Sequence, residues 1–244
     1  MDTHEPPAVP VRRVAVVTGG NRGIGLEIGR QLSRLGLHVV LTGRDEASAK
    51  EAADQIAEHG PGLVVGARLD VRDDDSVRST FAEIARAHGS IDVLVNNAGI
   101  AIDGPAHRAS APDFSRVEET LATNLYGVWR CSTAAIPFMR ERGYGRIVNL
   151  SSTMASLATT TTGESPAYRV SKVSLNMLTR VLAAELEGTG ILVNAASPGY
   201  TKTDMSPRAT RPVEDGADTP VWLATLPDHG PTGGFFYDRQ PLEW

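Results

Sequence analysis

The sequence contains a single cysteine and no long hydrophobic run. Because Cys131 stands alone among 244 residues, no disulfide can form within the chain, and a reducing compartment is expected. Its neighbours on a predicted helix are mostly apolar, so Cys131 is interpreted as a buried, small hydrophobic residue. No apolar run reaches the roughly 18 residues of a membrane-spanning helix, so no segment is expected to cross a bilayer.

The sequence also lacks an excess of positive charge and a cluster of histidines. A net charge of −5 and a pI near 5.7 argue against a nucleic-acid or anionic-membrane partner, because such proteins normally carry a basic patch. The six histidines are scattered without the spacing of metal ligands, so no metal is predicted. Residues 1–12 lack the apolar stretch of a signal peptide and are predicted to be a flexible lead-in to one domain over residues 13–244. The expected location is the cytoplasm.

Apolar, β-branched runs alternate with amphipathic helical patterns along the rest of the chain. Such alternation predicts right-handed βαβ units around one core. The predicted fold is a single-domain, Rossmann-like, doubly wound α/β fold with a seven-stranded, mostly parallel sheet and helices on both faces. The predicted strands cover residues 14–18, 38–42, 63–68, 92–96, 146–150, 191–197 and 234–237, and the predicted helices 23–35, 46–58, 74–88, 112–121, 125–142, 167–187 and 213–225.

A glycine-rich turn, GGNRGIG at residues 19–25, follows the first strand at once and precedes an amphipathic helix. A pyrophosphate can approach backbone N–H groups and a helix N-terminus only where no Cβ intervenes, and Gly19, Gly23 and Gly25 meet that need. Their spacing is GxxxGxG, which differs from the commoner GxGxxG. The segment predicts a dinucleotide site, with a turn that binds no ligand as the alternative.

Tyr168 and Lys172 lie four residues apart on a predicted helix, so both side chains are expected on one face. There the ammonium group can stabilise a phenolate, which makes Tyr168 a candidate proton donor. The alternative is a solvated helix face, on which such a pair arises by chance.

Further candidate residues follow the carboxyl ends of the predicted strands. Ligands of a doubly wound sheet bind beyond these ends, so the residues are expected to line one cleft. They are residues 18–25 after the first strand, Arg44 after the second, Asp70 after the third, residues 97–99 after the fourth, Ser152 after the fifth and residues 198–203 after the sixth.

Six segments of the chain resemble the motifs of the short-chain dehydrogenase/reductase family in order and spacing. They are TGGNRGIG, NNAG at residues 96–99, Asn124 within LATNLYG, Ser152, YRVSK at residues 168–172 and PGYTKT at residues 198–203. Within the family, the closing TGGFFYDRQPLEW and the LTGRDE after the second strand are most similar to the NADPH-dependent carbonyl reductases.

The resemblance implies reversible, NADPH-dependent reduction of a ketone or aldehyde to an alcohol. Ser152 would donate a hydrogen bond to the carbonyl oxygen and Tyr168 would protonate it. Lys172, together with the positive nicotinamide, would lower the pKa of Tyr168 and would also bind the ribose. Asn124 would hold a water that links Lys172 to solvent. Ser151 is the rival for the serine role, although the family uses the second serine of such a pair.

Arg44 bears on the choice of cofactor. An acidic residue at the end of the second strand would bind the ribose diol of NAD and repel a 2′-phosphate, whereas this strand is followed by Arg44. Arg22 is a second candidate cation, and Asp45 and Glu46 are expected to open the next helix. The predicted cofactor is therefore NADP(H). Its predicted contacts are Gly19, Asn21, Arg22, Gly23, Ile24, Gly25, Arg44, Asp70, Val71, Asn97, Ala98, Gly99, Tyr168, Lys172, Pro198, Gly199, Thr201 and Thr203.

Single-residue alternatives remain at this stage: Arg44 as a solvated loop residue, Asp70 as a turn-holding residue, and Pro198 and Gly199 as a plain turn. The predicted partners are a small-molecule carbonyl or alcohol substrate and, for a homo-oligomer, copies of the same chain; a monomer is equally open. Alternative functions are a degenerate NADP-binding sensor or scaffold, an NAD(H)-dependent alcohol dehydrogenase, and a sugar epimerase or dehydratase.

Overall fold

The first four strands and the helices between them follow the predicted order. A computed structural model describes residues 12–57, 60–104 and 106–244, so the predicted lead-in falls almost entirely outside the described residues. The strands are β1 Val14–Val17, β2 His38–Gly43, β3 Val64–Arg68, β4 Val93–Asn96, β5 Gly145–Leu150, β6 Ile191–Ala196, β7 Phe235–Tyr237 and β8 Gln240–Pro241. The helices are α1 Gly23–Arg34, α2 Glu46–Ala57, α3 Asp74–His88, α4 Phe114–Leu121, α5 Val128–Arg142, α6 Pro166–Glu185 and α7 Val213–Ala224.

All strands form one sheet in the order β3-β2-β1-β4-β5-β6-β7-β8. Every neighbouring pair is parallel except β7 and β8. The predicted doubly wound, mostly parallel α/β fold is confirmed. Strand order reverses between β1 and β4, which places the opening for a ligand beyond their carboxyl ends.

The sheet has eight strands where seven were predicted, because a tight hairpin adds β8. Asp238 and Arg239 form its two-residue turn with φ angles of 48° and 58°. Turns with two left-handed residues normally contain glycine or asparagine, so the sequence gives no hairpin signal here. The turn is held from outside, since Arg239 donates from its backbone N to Thr219 Oγ1 at 3.0 Å and from Nε to Asp218 Oδ2 at 2.7 Å.

Two hydrophobic cores lie on the two faces of the sheet. Ala15 and Val17 of β1 pack into one core, and Val14 and Val16 pack into the other. Successive side chains of a strand point to opposite faces, so a strand covered by helices on both sides is apolar throughout. This explains the unbroken apolar run at the first strand.

A π-helical turn, Ala122–Gly127, joins α4 and α5 into one continuous helical segment, whereas the sequence predicted two separate helices. The wider turn inserts one residue into the helical repeat, which hydrophobic periodicity does not reveal. Gly127 ends it where a Cβ would come within 2.8 Å of Val71 Cγ2. Asn124 lies in the middle of this turn.

Arg146 of β5 is fully buried and crosslinks the amino-terminal edge of the sheet. Its guanidinium donates to the carbonyl oxygens of Leu226 and Gly145, each at 2.8 Å, and to Gly190 O at 3.1 Å. It also donates to Asp228 Oδ1 at 2.8 Å. Gly190 O also accepts from Gly145 N at 3.3 Å, so Leu226 O and Gly145 O are the acceptors that Arg146 mainly serves.

We expect Arg146→Met to lower the free energy of unfolding by about 3 kcal/mol, because it leaves buried carbonyl oxygens without donors. Urea unfolding followed by circular dichroism measures this. Arg78→Met is the matched control, since the side chain of Arg78 is 73% exposed and its loss should change stability by no more than about 0.5 kcal/mol. Equal losses in the two variants would contradict the assignment.

Candidate active site

A cleft of about 920 Å³ opens along the carboxyl ends of the strands. Most of the residues predicted to contact a cofactor line it: Gly19, Asn21, Arg22, Gly23, Ile24, Gly25, Arg44, Asp70, Val71, Asn97, Ala98, Gly99, Tyr168, Lys172, Pro198 and Thr203. Lining residues that the sequence did not single out as contacts include Asp45, Leu69, Arg72, Glu119, Thr123 and Asp204. The topology thus brings segments from across the chain to one place.

The glycine turn forms the floor of the cleft below the start of α1. Gly19 and Gly23 have φ angles of 60° and 55°, which L-residues with side chains rarely adopt. A Cβ on Gly25 would fall 2.4 Å from both Asn97 Nδ2 and Gly19 O. The first turn of α1 has neither an acidic residue nor a side-chain cap from Arg22, so its N–H groups can serve an anion. This cradle fits a pyrophosphate.

Thr18 and Asn97 tie the end of β1 to the end of β4. Asn97 Nδ2 donates to Thr18 O and Gly19 O, each at 2.9 Å. Thr18 Oγ1 accepts from Asn97 N and Ala98 N, each at 3.0 Å. The Asn97 amide therefore holds the backbone of the glycine turn. Thr18 belongs to the predicted segment 18–25, but it was not among the predicted cofactor contacts, and the sequence did not predict its hydrogen bonds with the loop after β4.

Two arginines stand at the rim near the end of β2. Arg44 is exposed, and the structure gives it no hydrogen bond or ion pair with any other described residue. Arg22 Nη1 lies 3.1 Å from Asp204 Oδ2 in an exposed ion pair. Asn21 packs over Gly43, where a Cβ would be 3.3 Å from Asn21 Cγ. The lining at this end of the cleft therefore combines the cationic side chains of Arg22 and Arg44 with Gly43, which has no side chain.

Asp45 and Glu46 belong to the start of α2, as the sequence indicated. Asp45 Oδ1 accepts a hydrogen bond from Ser48 N at 2.7 Å, and Glu46 Oε1 lies 2.5 Å from Lys50 Nζ. Both carboxylates are thus engaged with the helix, although Asp45 also lines the cleft.

Asp70 and Val71 line the cleft at the same end as Arg22 and Arg44, on the opposite side. Asp70 Oδ1 accepts from Arg72 N at 3.0 Å, so its side chain holds the turn after β3 while also lining the cleft. Val71 is 8% exposed. Arg72 Nη1 lies 3.4 Å from Glu119 Oε1, and this pair closes the edge of the cleft.

The segment after β6 divides into lining and supporting residues. Pro198 and Thr203 line the cleft, whereas Gly199 and Thr201 lie outside its lining. Thr201 is 3% exposed and its hydroxyl donates to Pro198 O at 2.8 Å. Gly199 has a φ of 73°, and a Cβ there would be 2.8 Å from Tyr237 Cε2. Gly199 and Thr201 therefore fix the course of the segment without lining the cleft.

Tyr168 and Lys172 lie on the face of α6 that borders the cleft. Lys172 Nζ is 5.7 Å from the centroid of the Tyr168 ring. The Lys172 side chain is buried, and its Nζ donates to Leu150 O at the end of β5 at 2.6 Å. Burial penalises the ammonium and lowers the pKa of Lys172 to about 8.

The protein's own groups raise the pKa of Tyr168. Burial in the cleft is the largest cause, a hydrogen bond with Ser152 acts in the opposite direction, and the negative charge of Asp103 adds to the rise. The sequence argument expected Lys172 and an oxidised nicotinamide to lower this pKa. In the protein by itself, burial outweighs the hydrogen bond with Ser152, because a phenolate loses its hydration there.

The two adjacent serines occupy different environments. Ser151 is 3% exposed, and its hydroxyl donates to Asn176 Oδ1 on α6 at 2.6 Å. Ser152 is half-buried and hydrogen-bonds with Tyr168, while its Oγ accepts from Met154 N at 3.2 Å. Ser151 therefore holds the helix and also lines the cleft, whereas Ser152 lies beside the phenol and is not among the lining residues.

Asn124 is buried behind the cleft. Its Oδ1 accepts from Ile100 N and its Nδ2 donates to Ile100 O, each at 2.8 Å, and Nδ2 also donates to Ser171 Oγ at 3.0 Å. A Cβ on Gly99 would be 3.3 Å from Asn124 Oδ1 and 3.5 Å from Lys172 Nζ. The π-helical turn thus brings Asn124 against the loop after β4 and against α6.

Arg169 organises the tract between Ser152 and α6, a role that sequence reasoning missed. Its guanidinium donates to Glu164 O at 2.8 Å, to Met154 O at 3.1 Å and to Thr162 Oγ1 at 2.7 Å. The tract is also tied to the last residue, since Ala158 N donates to Trp244 O at 3.1 Å. These contacts give the Thr-rich tract a fixed course beside Tyr168.

Within residues 12–57, 60–104 and 106–244, no three His, Cys, Asp or Glu side chains are grouped as metal ligands would be. Among the helices in those ranges, none has the length and apolar character needed to cross a membrane.

Comparison with known proteins identifies the family. The short chain dehydrogenase model matches residues 13–213, and the chain belongs to this family. Carbonyl reductase (NADPH) 1 of Pongo abelii is 36% identical over an alignment of 279 positions, which covers 95% of this chain and 98% of the relative. The Homo sapiens protein of the same name is 35% identical, and carbonyl reductase (NADPH) 3 of Mus musculus is 34% identical, with the same two coverages.

A solved structure described as a short chain dehydrogenase/reductase family protein superposes with a TM-score of 0.80. It is 33% identical, and the match covers 94% of this chain and 97% of that chain. The family predicted from the six motifs is confirmed, and so is the similarity of this chain to carbonyl reductases.

The buried ammonium of Lys172 makes stability depend on pH. Because its folded pKa is about 8 and that of a free lysine is about 10.5, the unfolded chain binds more protons between these values. The penalty of burying the charge is therefore complete below pH 8 and is relieved as pH rises toward 10.5. We expect the stability of Lys172→Met relative to the unmutated protein to fall by about 2 kcal/mol between pH 7 and pH 10.

Urea unfolding at the two pH values measures this difference. Lys202→Met is the control, since Lys202 is exposed and its relative stability should not change with pH. A pH-independent difference for Lys172→Met would show that the ammonium is not desolvated.

Proposed function

We propose that this chain reduces a ketone or aldehyde carbonyl to an alcohol, reversibly, with NADPH as the hydride donor. The observation that carries the proposal is the arrangement of Ser152, Tyr168 and Lys172: a phenol that hydrogen-bonds with a hydroxyl and lies near a buried ammonium, with the phenol and the ammonium both lining the cleft. The relatives are named carbonyl reductase (NADPH) 1 and carbonyl reductase (NADPH) 3, which agrees with this reaction. The cytoplasmic location and the state as monomer or homo-oligomer stay predictions.

The residues of the cleft fit a dinucleotide phosphate. The glycine turn and the start of α1 would hold the pyrophosphate, with Asn97 keeping the turn in place. Arg44, which has no partner among the described residues, and Arg22 would bind the 2′-phosphate as charge-assisted donors. The Asp45 carboxylate, which would repel that phosphate, is engaged with Ser48 N. NADPH, when bound, supplies the hydride.

The remaining predicted contacts have supporting geometry. Asp70 and Val71 border the end of the cleft where an adenine would lie. Pro198 and Thr203 would contact the carboxamide of the nicotinamide, and Gly199 and Thr201 would act by fixing the course of that segment.

Side chains of the protein would stabilise the charge that develops during the reaction and would donate the proton. Negative charge builds on the carbonyl oxygen as hydride arrives, so a hydrogen bond from Ser152 stabilises the developing alkoxide. Tyr168 donates the proton from its phenolic oxygen to that oxygen. Lys172 stabilises the resulting phenolate by its positive charge and is held by Leu150 O. Asn124 keeps Gly99 and the loop after β4 close to Lys172.

We expect Tyr168→Phe to lower kcat at least about 100-fold, because the proton donor is removed while the ring is kept. NADPH affinity should stay within about threefold, since the ring's packing is retained. Initial rates of NADPH oxidation over a panel of ketones, aldehydes and quinones, together with fluorescence titration of NADPH, measure both. Tyr126→Phe, at an exposed tyrosine, is the control. Retention of more than about a tenth of kcat would assign the acid role to another group.

We expect Arg44→Asp to weaken NADPH binding at least about tenfold and to narrow or reverse the preference over NADH. The phosphate loses a cationic partner and gains a like charge. Kd values for NADPH and NADH by fluorescence titration provide the test, and Arg86→Asp, at an exposed position on α3, is the control for the change in net charge. Equal kcat/KM for the two cofactors in the unmutated enzyme would already exclude this role.

A further inference from the structure

Asp103 is a buried carboxylate behind the candidate active site, and none of the sequence motifs includes it. It lies in the loop after β4 and is 4% exposed. Its Oδ2 accepts from Ala167 N at 2.6 Å and from Tyr168 N at 3.3 Å, and its Oδ1 is 3.2 Å from Tyr168 N. The Asp103 side chain therefore accepts hydrogen bonds from the backbone N–H groups of Ala167 and Tyr168.

The start of α6 has no cap of its own. Ser165, the residue before the helix, has φ 50° and ψ 55° and makes no side-chain cap hydrogen bond. Pro166 is the first helical residue and has no N–H group. The first turn contains no acidic residue that would complement the helix dipole. Asp103 supplies both the acceptor and the negative charge from a distant part of the chain.

The loop that carries Asp103 is the same loop that borders the proposed nicotinamide region. Gly99 lies next to Asn124 and Lys172, and Ile100 is held at its backbone N and O by Asn124. A shift of α6 relative to this loop would move the phenol of Tyr168 relative to the cleft. The contact with Asp103 is the direct link between the loop and the first turn of the helix.

We propose that Asp103 is a positioning residue for Tyr168: its carboxylate fastens the first turn of α6 to the loop after β4 and holds a negative charge against the backbone N–H of Tyr168. This proposal rests on the proposed function, in which Tyr168 is the acid, and adds the residue that holds Tyr168 in position. Asp103 acts through the backbone of Tyr168 and through charge, and it does not line the cleft.

Three polar or charged groups face Tyr168 from different elements: Lys172 from the same helix, Ser152 from the segment after β5, and Asp103 from the loop after β4. Asp103 favours the neutral phenol and so raises the pKa of Tyr168, against the hydrogen bond from Ser152. A phenol that must donate a proton in the reductive direction benefits from staying protonated. Removing the charge while keeping an acceptor separates this effect from the effect on helix position.

The test titrates Tyr168 directly in the full chain with tyrosine labelled at Cζ with ¹³C, using Tyr168→Phe to assign its signal. In Asp103→Asn the amide oxygen can still accept from the backbone, so kcat for the best carbonyl substrate should fall less than in Asp103→Ala. The Tyr168 signal should nevertheless titrate at lower pH than in the unmutated protein. The pH profile of kcat should move in the same direction.

In Asp103→Ala both the acceptor and the charge are lost. We expect kcat to fall at least about tenfold, because the phenol is misplaced, with NADPH affinity within about threefold. Asp73→Ala is the matched control: Asp73 caps α3 by accepting from Asp75 N at 2.8 Å and from Ser76 N at 2.9 Å, so its loss should leave the Tyr168 titration unchanged.

An unchanged Tyr168 titration in Asp103→Asn overturns the proposal, and this readout decides the matter even if Asp103→Ala does not fold. A loss of kcat in Asp103→Ala no larger than in Asp73→Ala overturns it as well. The titration does not depend on turnover. If the unmutated protein reduces no carbonyl compound but the Tyr168 signal shifts in Asp103→Asn, the proposed function fails while the link between Asp103 and Tyr168 stands.

Discussion

The pairing of Thr18 with Asn97 is the interaction on which the site depends. It joins the ends of β1 and β4, the two neighbouring strands between which the order of the sheet reverses. At such a point the loops leave in opposite directions and a cleft must open. Without a bond across it, the glycine turn and the loop after β4 would be independent. Because Asn97 binds the carbonyl oxygens of Thr18 and Gly19, both loops form one surface, and Gly25 has room only for hydrogen.

Three of the buried charged side chains, Arg146, Asp103 and Lys172, lie in different parts of the fold and are compensated in different ways for the loss of hydration. Arg146 is surrounded by carbonyl oxygens and retains its charge through hydrogen bonds. Asp103 faces the N–H groups at the start of α6, where the helix dipole favours an anion. Lys172 has one carbonyl partner, Leu150 O, and its pKa falls. The incompletely compensated charge is the one in the cleft, which agrees with a group whose partner arrives with a ligand.

The local features predicted from the sequence were those set by residue type at short range. Parallel strands, the glycine turn and the i, i+4 pair all follow from periodicity or from the absence of a Cβ. Features set by long-range contacts were missed: the buried Arg146, the cap supplied by Asp103 64 residues before Ala167, and the left-handed turn at Asp238 that is held by other parts of the fold. Neighbouring serines show the same limit, because nothing local decides which of Ser151 and Ser152 pairs with Asn176 and which with Tyr168.

The acid strength of Tyr168 results from opposing contributions that come from separate parts of the chain. Burial and Asp103 favour the phenol, whereas the hydrogen bond with Ser152 favours the phenolate. Lys172 adds to the second group only while it is charged, and its pKa of about 8 lies close to neutrality. An anion in the same cleft favours the ammonium form of Lys172. Occupation of the glycine turn by a dinucleotide phosphate would therefore strengthen the charge that supports the phenolate in the proposed reaction, and cofactor binding and acid strength would then be coupled through one buried lysine.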